Sequence, residues 1–104
     1  MSGSEVEAGE GPELSVERCR AAAEAALTEL PAEFAERMGE VVVIVEDSHP
    51  EGLMGIYDPV GGIERIVVFR DANPSEEEVR KTVLHEVGHF FGMDEEALRR
   101  AGYG

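Results

Sequence analysis

The strongest constraint on the fold of this chain is one long helix that starts after Pro74 and stops at a glycine. Ser75 and Glu78 form a capping box, and acidic residues fill the first turn, which the helix dipole favours. An apolar stripe follows at helical spacing, made of Val79, Val83, Val87 and Phe90. Gly92 then predicts the point at which the chain leaves the helix and turns back. The rest of a short chain must be arranged around this helix.

The same helix carries two histidines away from its apolar stripe, His85 and His89. Residues four apart on a helix project from the same face, so both imidazoles can reach one metal ion. Glu86, between them, lies beside such a metal rather than on it, where it can act on a bound water as general base. Gly88 costs stability inside a helix, which is consistent with close approach of another element there. The pattern predicts a zinc site with Glu86 as its catalytic residue.

A catalytic zinc ion takes three protein ligands and a water, so one further ligand is needed. Glu95 follows His85 by ten residues, and the turn at Gly92 lets it return to the metal. Asp94 is the alternative third ligand, although its position as N-cap of a last short helix accounts for it without a metal. His49 lies in a loop that contains proline and glycine, and we interpret it as an exposed loop residue.

The composition predicts one domain with a tail. Residues 1–13 are rich in glycine, serine and glutamate, which is typical of a disordered acidic segment, and residues 14–104 form the domain. A first helix is predicted from Ser15 to Pro31, and a short second one closes at Gly39. The apolar stripe of the first helix includes Cys19, which we interpret as a small core residue.

Three strands are predicted between the second helix and the long one. Residues 41–45 are an unbroken β-branched run, which we interpret as a strand covered on both faces. Residues 53–57 contain a glycine and suit an edge strand, and residues 63–69 form the third strand. With a last helix over residues 95–100, the chain is predicted to be an α+β domain in which the long helix packs on one face of a small sheet.

The charge and cysteine count limit the partners and the compartment. A formal net charge of −14 at pH 7 disfavours nucleic acid and anionic membranes and favours basic peptides. The single cysteine excludes an intrachain disulfide, and neither a signal segment nor a membrane-length apolar run is present. We therefore expect a cytoplasmic protein. Its oligomeric state is left open, because an exposed edge strand can pair with a second copy.

The long helix and the turn after it resemble a known signature. Residues 85–95 are similar to H-E-x-x-H-x-x-G-x-x-[H/D], the extended zincin motif of the metzincin clan, and residues 82–92 with residues 98–103 resemble the small bacterial zincin-like metallopeptidase family. The resemblance implies a minimal zincin-like fold: an N-terminal helix, a mixed sheet of three to four strands, the active-site helix and a short C-terminal helix. It also implies a bound Zn²⁺ and a peptide lying antiparallel to residues 53–57. Glu95 departs from the usual His or Asp, and no Met-turn is expected before Gly104.

Together these features predict a zinc-dependent metalloendopeptidase that hydrolyses peptide bonds through water activated by Glu86. The alternative is a zinc-binding regulatory or interaction module with little or no proteolytic activity, which the expected lack of a C-terminal subdomain motivates. A third reading is an acidic interaction module without a metal. The sequence predicts a peptide or protein substrate, without its identity or cleavage specificity.

Overall fold

The computed structural model describes residues 14–102. The elements run in the order α1 (Val16–Leu27), α2 (Ala32–Met38), β1 (Val41–Glu46), β2 (Gly55–Tyr57), β3 (Glu64–Phe69), a 3-10 turn (Arg70–Ala72), α3 (Glu76–Phe90) and α4 (Glu95–Ala101). This is the predicted α+β arrangement. The predicted acidic tail at residues 1–13 lies outside the described residues, as do residues 103 and 104.

The three described strands form one mixed sheet in the order β1-β3-β2. β1 is parallel to β3, with Val43 opposite Ile66, and β2 is antiparallel to β3, with Ile56 opposite Val67. Within the described chain β2 therefore lies at an edge, as its glycine and weak alternation predict. It is shorter than predicted, because its ladder with β3 covers only Gly55–Tyr57, and the exposed residues Leu53 and Met54 precede the strand.

The helices α1 and α3 cover one face of this sheet and pack against each other. The fully buried side chains come from these helices, the covered sheet face and α4; they include Cys19, Ala23, Ile66, Val68, Val79, Val83, Leu84, Val87 and Leu98. The prediction that β1 is covered on both faces is wrong. Val43 is buried beneath the helices, whereas Val42 points the other way and is 42% exposed. A continuous run of β-branched residues shows no alternation of apolar and polar side chains, so it does not indicate whether one or both faces of the strand are covered.

The predicted helix starts at Ser15 and Ser75 and the predicted end at Gly39 are confirmed, whereas α1 ends at Leu27 rather than at Pro31. The Ser15 hydroxyl accepts a hydrogen bond from the Arg18 N–H at 3.1 Å, and the Ser75 hydroxyl accepts one from the Glu78 N–H at 3.2 Å. Pro31 separates α1 from α2, and Gly39 ends α2 with a φ of 67°. Between residues 14 and 102, no helix combines the length and apolar character needed to cross a bilayer.

A buried asparagine connects the sheet to α3. The Asn73 side-chain amide donates to the carbonyl oxygens of Met54 at 2.9 Å and Phe69 at 2.8 Å. Its side-chain oxygen accepts a hydrogen bond from the Thr82 hydroxyl at 2.6 Å. Because Met54 directly precedes β2, this network fixes the start of the edge strand against α3, one turn before His85.

Candidate metal centre

The C-terminal half of α3 presents the two predicted histidines on its solvent side. The Nε2 atoms of His85 and His89 lie 2.9 Å apart, and the rings meet edge to face. The His85 side chain is 31% exposed and that of His89 43%. Helical spacing thus places both donor atoms together, as the sequence predicts, in a position open to solvent.

The chain reverses directly after α3. The Gly92 N–H donates to the His89 carbonyl at 2.9 Å, and the Met93 N–H donates to the Gly88 carbonyl at 2.9 Å. This pair of bonds, with Gly92 at a φ of 82°, is a Schellman motif. Only glycine adopts such a φ without strain, so Gly92 is the residue that directs α4 back towards the histidines.

At Gly88, α4 packs closely against α3. A Cβ atom at Gly88 would overlap Cδ2 of Leu98 and lie 3.4 Å from the sulfur of Met93. Leu98 is fully buried in that space. The expectation that this glycine accommodates another element is therefore confirmed, and the element is α4.

The returning chain brings the predicted third residue to the histidines. The Oε2 atom of Glu95 lies 3.4 Å from Nε2 of His85 and 3.2 Å from Nε2 of His89. Around a tetrahedral zinc ion with bonds of about 2.0–2.1 Å, two ligand atoms lie about 3.3 Å apart. Two imidazole nitrogens and a carboxylate oxygen are also ligands that zinc accepts. The three side chains therefore fit a single zinc ion in both spacing and chemistry.

The two other residues considered from the sequence lie elsewhere. Asp94 caps α4, where its Oδ1 accepts a hydrogen bond from the Ala97 N–H at 2.8 Å. His49 accepts a hydrogen bond from the Glu51 N–H at 3.0 Å, and its ring meets the edge of Phe69. His49 is half-buried rather than exposed, which corrects that interpretation. Neither residue belongs to the group formed by the two histidines and Glu95.

The Glu86 side chain extends from α3 towards the edge strand β2. Its Cγ is 3.7 Å from the position that a Cβ atom of Gly55 would take. Burial raises the pKa of the Glu86 carboxyl, and this is partly offset by the imidazoles of His85 and His89 and by the backbone N–H of Tyr57. A carboxylate with a raised pKa exchanges a proton more readily near neutral pH, which suits a general base.

The edge strand presents open backbone groups beside Glu86. The Asp58 N–H donates to Arg65 and the Phe69 N–H donates to Met54, so residues 54, 56 and 58 bond towards β3. In an antiparallel ladder the intervening residues point their N–H and C=O groups away, and these residues are Gly55 and Tyr57. A Cβ atom at Gly55 would lie 2.7 Å from the methyl carbon of Thr82, so this glycine permits β2 to lie close to α3.

An aromatic stack completes this side of the site. Phe90 was expected in the core, but it is 45% exposed and stacks on Tyr57, with ring centroids 4.3 Å apart. Its neighbour Phe91 turns inwards instead and stacks on Phe34. The Tyr57 hydroxyl donates to Glu64 at 2.7 Å. Sequence reasoning placed residues 53–57 beside the substrate but missed the Tyr57 ring and Glu64 as neighbours of the site, which the antiparallel pairing of β2 with β3 brings together.

Comparison with known families supports the motif. Residues 60–103 match the model of a family described as zincin-like metallopeptidase. The matched segment contains β3, α3 and α4, and hence the two histidines, Glu86 and Glu95. The family resemblance expected from the sequence is confirmed over this segment, and it implies a metal, typically zinc. A comparison with curated proteins gives no match.

Proposed function

We propose that the chain is a zinc-dependent metalloendopeptidase that hydrolyses peptide bonds with Glu86 as general base. The observation that carries this proposal is the convergence of three donor atoms within 3.4 Å of one another, with a half-buried glutamate at their side. A structural zinc site is closed by four protein ligands, whereas three ligands leave a position for chemistry. The match of residues 60–103 to a metallopeptidase family supports the same reading.

The proposed ligands are His85, His89 and Glu95, of which Glu95 is 63% exposed. A zinc ion held there supplies a Lewis acid that polarises the scissile carbonyl and lowers the pKa of the attacking water. The exposure of the ligand atoms leaves space for both the water and the substrate. Asp94 serves instead as the cap that orients the helix carrying Glu95.

Glu86 accepts the proton of the attacking water and then delivers it to the leaving amine. Its burial makes the protonated form easier to reach, and the Tyr57 N–H steadies the ionised form. The surroundings of Glu86 therefore stabilise both its protonated and its ionised form, between which the carboxyl group alternates during the reaction. It also faces the edge strand, which is where the substrate is proposed to lie.

The proposed substrate is an extended peptide that pairs antiparallel with β2. The outward N–H and C=O groups of Gly55 and the outward C=O group of Tyr57 would supply its main-chain hydrogen bonds, while the Tyr57 N–H bonds Glu86. The net charge of −14 supports a preference for basic peptides, because a strongly acidic protein attracts cations to its clefts.

The test is Glu86→Gln, which preserves the size of the side chain and removes its basicity. Elemental mass spectrometry should find about one zinc per chain in this variant, while hydrolysis of a peptide library falls by at least about a hundredfold. His85→Ala is the control and should lose both the metal and the activity. Hydrolysis that persists in Glu86→Gln would refute Glu86 as the general base.

A second candidate function is a zinc-binding regulatory or interaction module. The high exposure of Glu95 favours it, because an open site offers little surface to hold a substrate. A zinc-loaded protein that cleaves none of a broad peptide library, basic sequences included, would support this alternative.

A further inference from the structure

We propose that Glu64 and the stacked rings of Tyr57 and Phe90 form a subsite that selects a cationic side chain, arginine or lysine, in the substrate peptide. The inference rests on the proposed function and specifies its substrate class. It assigns a role to three side chains that neither the metal nor the proton transfer uses.

The edge strand determines where a substrate side chain would lie. A peptide paired antiparallel with β2 places one residue opposite Tyr57. Directly opposed residues in such a pair project to the same face of the sheet, with Cβ atoms about 4.5–5.5 Å apart. The Tyr57 ring lies on the face covered by α3, where it stacks on Phe90. The opposed substrate side chain therefore falls beside this stack.

The stack offers an aromatic surface next to the metal centre. The two rings are 15° from parallel, and Phe90 directly follows the proposed ligand His89. Phe90 is 45% exposed although it is a large apolar residue at the end of a helix. The face of an aromatic ring attracts a guanidinium or ammonium group, and it also accommodates the aliphatic part of these side chains.

Glu64 provides the charge that distinguishes a cation from an apolar side chain. Its Oε1 accepts the Tyr57 hydroxyl at 2.7 Å, and within residues 14–102 no cationic side chain forms an ion pair with it. The adjacent Arg65 is paired with Asp58 at 2.5 Å. Burial, together with the hydrogen bond and charge of Glu64, raises the pKa of Tyr57 far above its ordinary value, so the phenol stays a donor. The second carboxylate oxygen of Glu64 is not used by this bond.

An apolar substrate side chain would fit this subsite less well. It would contact the rings, but it would also remove water from an ionised carboxylate without pairing with it, which is unfavourable. A basic side chain covers the same rings and neutralises Glu64. The net charge of −14 adds a general attraction for the same class of ligand.

The experiment measures binding rather than cleavage. Zinc-loaded Glu86→Gln protein is titrated by calorimetry with blocked alanine-based hexapeptides in which one residue is arginine or citrulline, moved through each position. Citrulline has nearly the same shape as arginine and no charge. At one position, arginine should bind about tenfold more tightly than citrulline, with a smaller difference at high salt.

Three added substitutions assign the preference to the subsite. Glu64→Gln retains an acceptor for the Tyr57 hydroxyl and should reduce the arginine preference to about twofold or less. Phe90→Ala removes the stack and should weaken both peptides. Glu46→Gln, on the exposed end of β1, removes the same charge elsewhere and should leave the preference unchanged.

Each result decides the proposal. The subsite would be overturned if the arginine and citrulline peptides bound equally at every position, or if a peptide with leucine there bound more tightly than the arginine peptide. It would also be overturned if Glu64→Gln and Glu46→Gln changed the arginine preference equally, or if no peptide bound. Arginine-selective binding that depends on Glu64, in a zinc-loaded protein whose unsubstituted form cleaves nothing, would uphold the subsite and refute the peptidase function. Peptide cleavage by the unsubstituted protein, without an arginine preference that depends on Glu64, would uphold the peptidase function and refute the subsite.

Discussion

Cδ2 of Leu98 occupies the space that a side chain at Gly88 would need. Gly88 lies on α3 between the two histidines, and Leu98 lies one turn after Glu95 on α4. The contact between them therefore sets how closely α4 approaches α3 and where the Glu95 carboxylate stands relative to the imidazoles. An interior glycine costs a helix about 1 kcal/mol relative to alanine, and here this cost is offset by the packing of a buried leucine.

Gly88→Ala should accordingly separate the effects of helix propensity and packing. The added methyl group must displace Leu98, and overpacking of this kind costs about 1–3 kcal/mol, more than the gain in propensity. The shift of α4 should also weaken zinc binding by about tenfold or more, because ligand positions change. Urea unfolding and competition with a zinc chelator measure the two effects.

The double variant Gly88→Ala, Leu98→Val is the matched control for this packing. A shorter side chain at Leu98 leaves room for the new methyl group, so the double variant should be less destabilised than the sum of the single ones. If Gly88→Ala alone raises both the free energy of unfolding and the zinc affinity, Leu98 does not limit the approach of α4.

Glu95→Gln should change mainly the zinc affinity, whereas Asp94→Ala should change mainly the stability of the protein. Glu95→Gln removes a proposed anionic ligand and should lower zinc affinity by at least about tenfold. Asp94→Ala removes an N-cap, which should cost about 0.5–2 kcal/mol of stability and change zinc affinity much less. Isothermal titration with zinc and thermal unfolding of the apoprotein distinguish the two. Loss of zinc in Asp94→Ala with retention in Glu95→Gln would reassign the third ligand.

The candidate site was predicted from sequence because its geometry is local. The spacing of His85 and His89 is fixed by helical periodicity, and Gly92 signals the reversal that returns Glu95 to them. The aromatic stack could not be predicted in the same way. Phe90 and Phe91 are adjacent at a helix end, and which ring turns inwards depends on Phe34 and Tyr57, which come from distant elements.

The strands were located from sequence with less accuracy than the helices. Capping serines mark the starts of α1 and α3, whereas the ends of β2 depend on which residues find partners in β3. The exposure of Val42 depends on helices covering only one face of the sheet, and no local pattern records how many layers a fold has.

The buried network around Asn73 should be a major determinant of stability. Asn73→Ala leaves the buried Phe69 carbonyl and the buried Thr82 hydroxyl without this partner and removes one of the two donors to the Met54 carbonyl, which should cost about 2–4 kcal/mol. Thr82→Val removes one bond and should cost about 1–2 kcal/mol. Thr28→Val is the matched control, because the Thr28 hydroxyl bonds a carbonyl at an exposed helix end. Denaturant unfolding in which Thr82→Val costs no more than Thr28→Val would contradict this assignment.

Cys19 should be unreactive in the native protein. Burial raises the pKa of its thiol, and the charges of Arg70 and Arg20 only partly offset this. Since the thiol ionises more readily in the unfolded chain, the free energy of unfolding should fall as the pH rises through the ordinary thiol pKa. This part of the pH dependence should be absent in Cys19→Ala. Labelling by a thiol reagent at mildly alkaline pH should be slow until denaturant is added. Rapid labelling of the native protein would show that the thiol is accessible.

The three proposed ligands lie within residues 85–95, joined by one helix turn and a Schellman reversal. Because loop closure over so few residues costs little entropy, an unfolded chain can gather the same three side chains around an ion. Affinity for the unfolded chain subtracts from the stabilisation that a metal gives to the native state. Zinc should therefore raise the melting temperature by less than its native affinity implies. Capture of the ion can also precede formation of the sheet during folding.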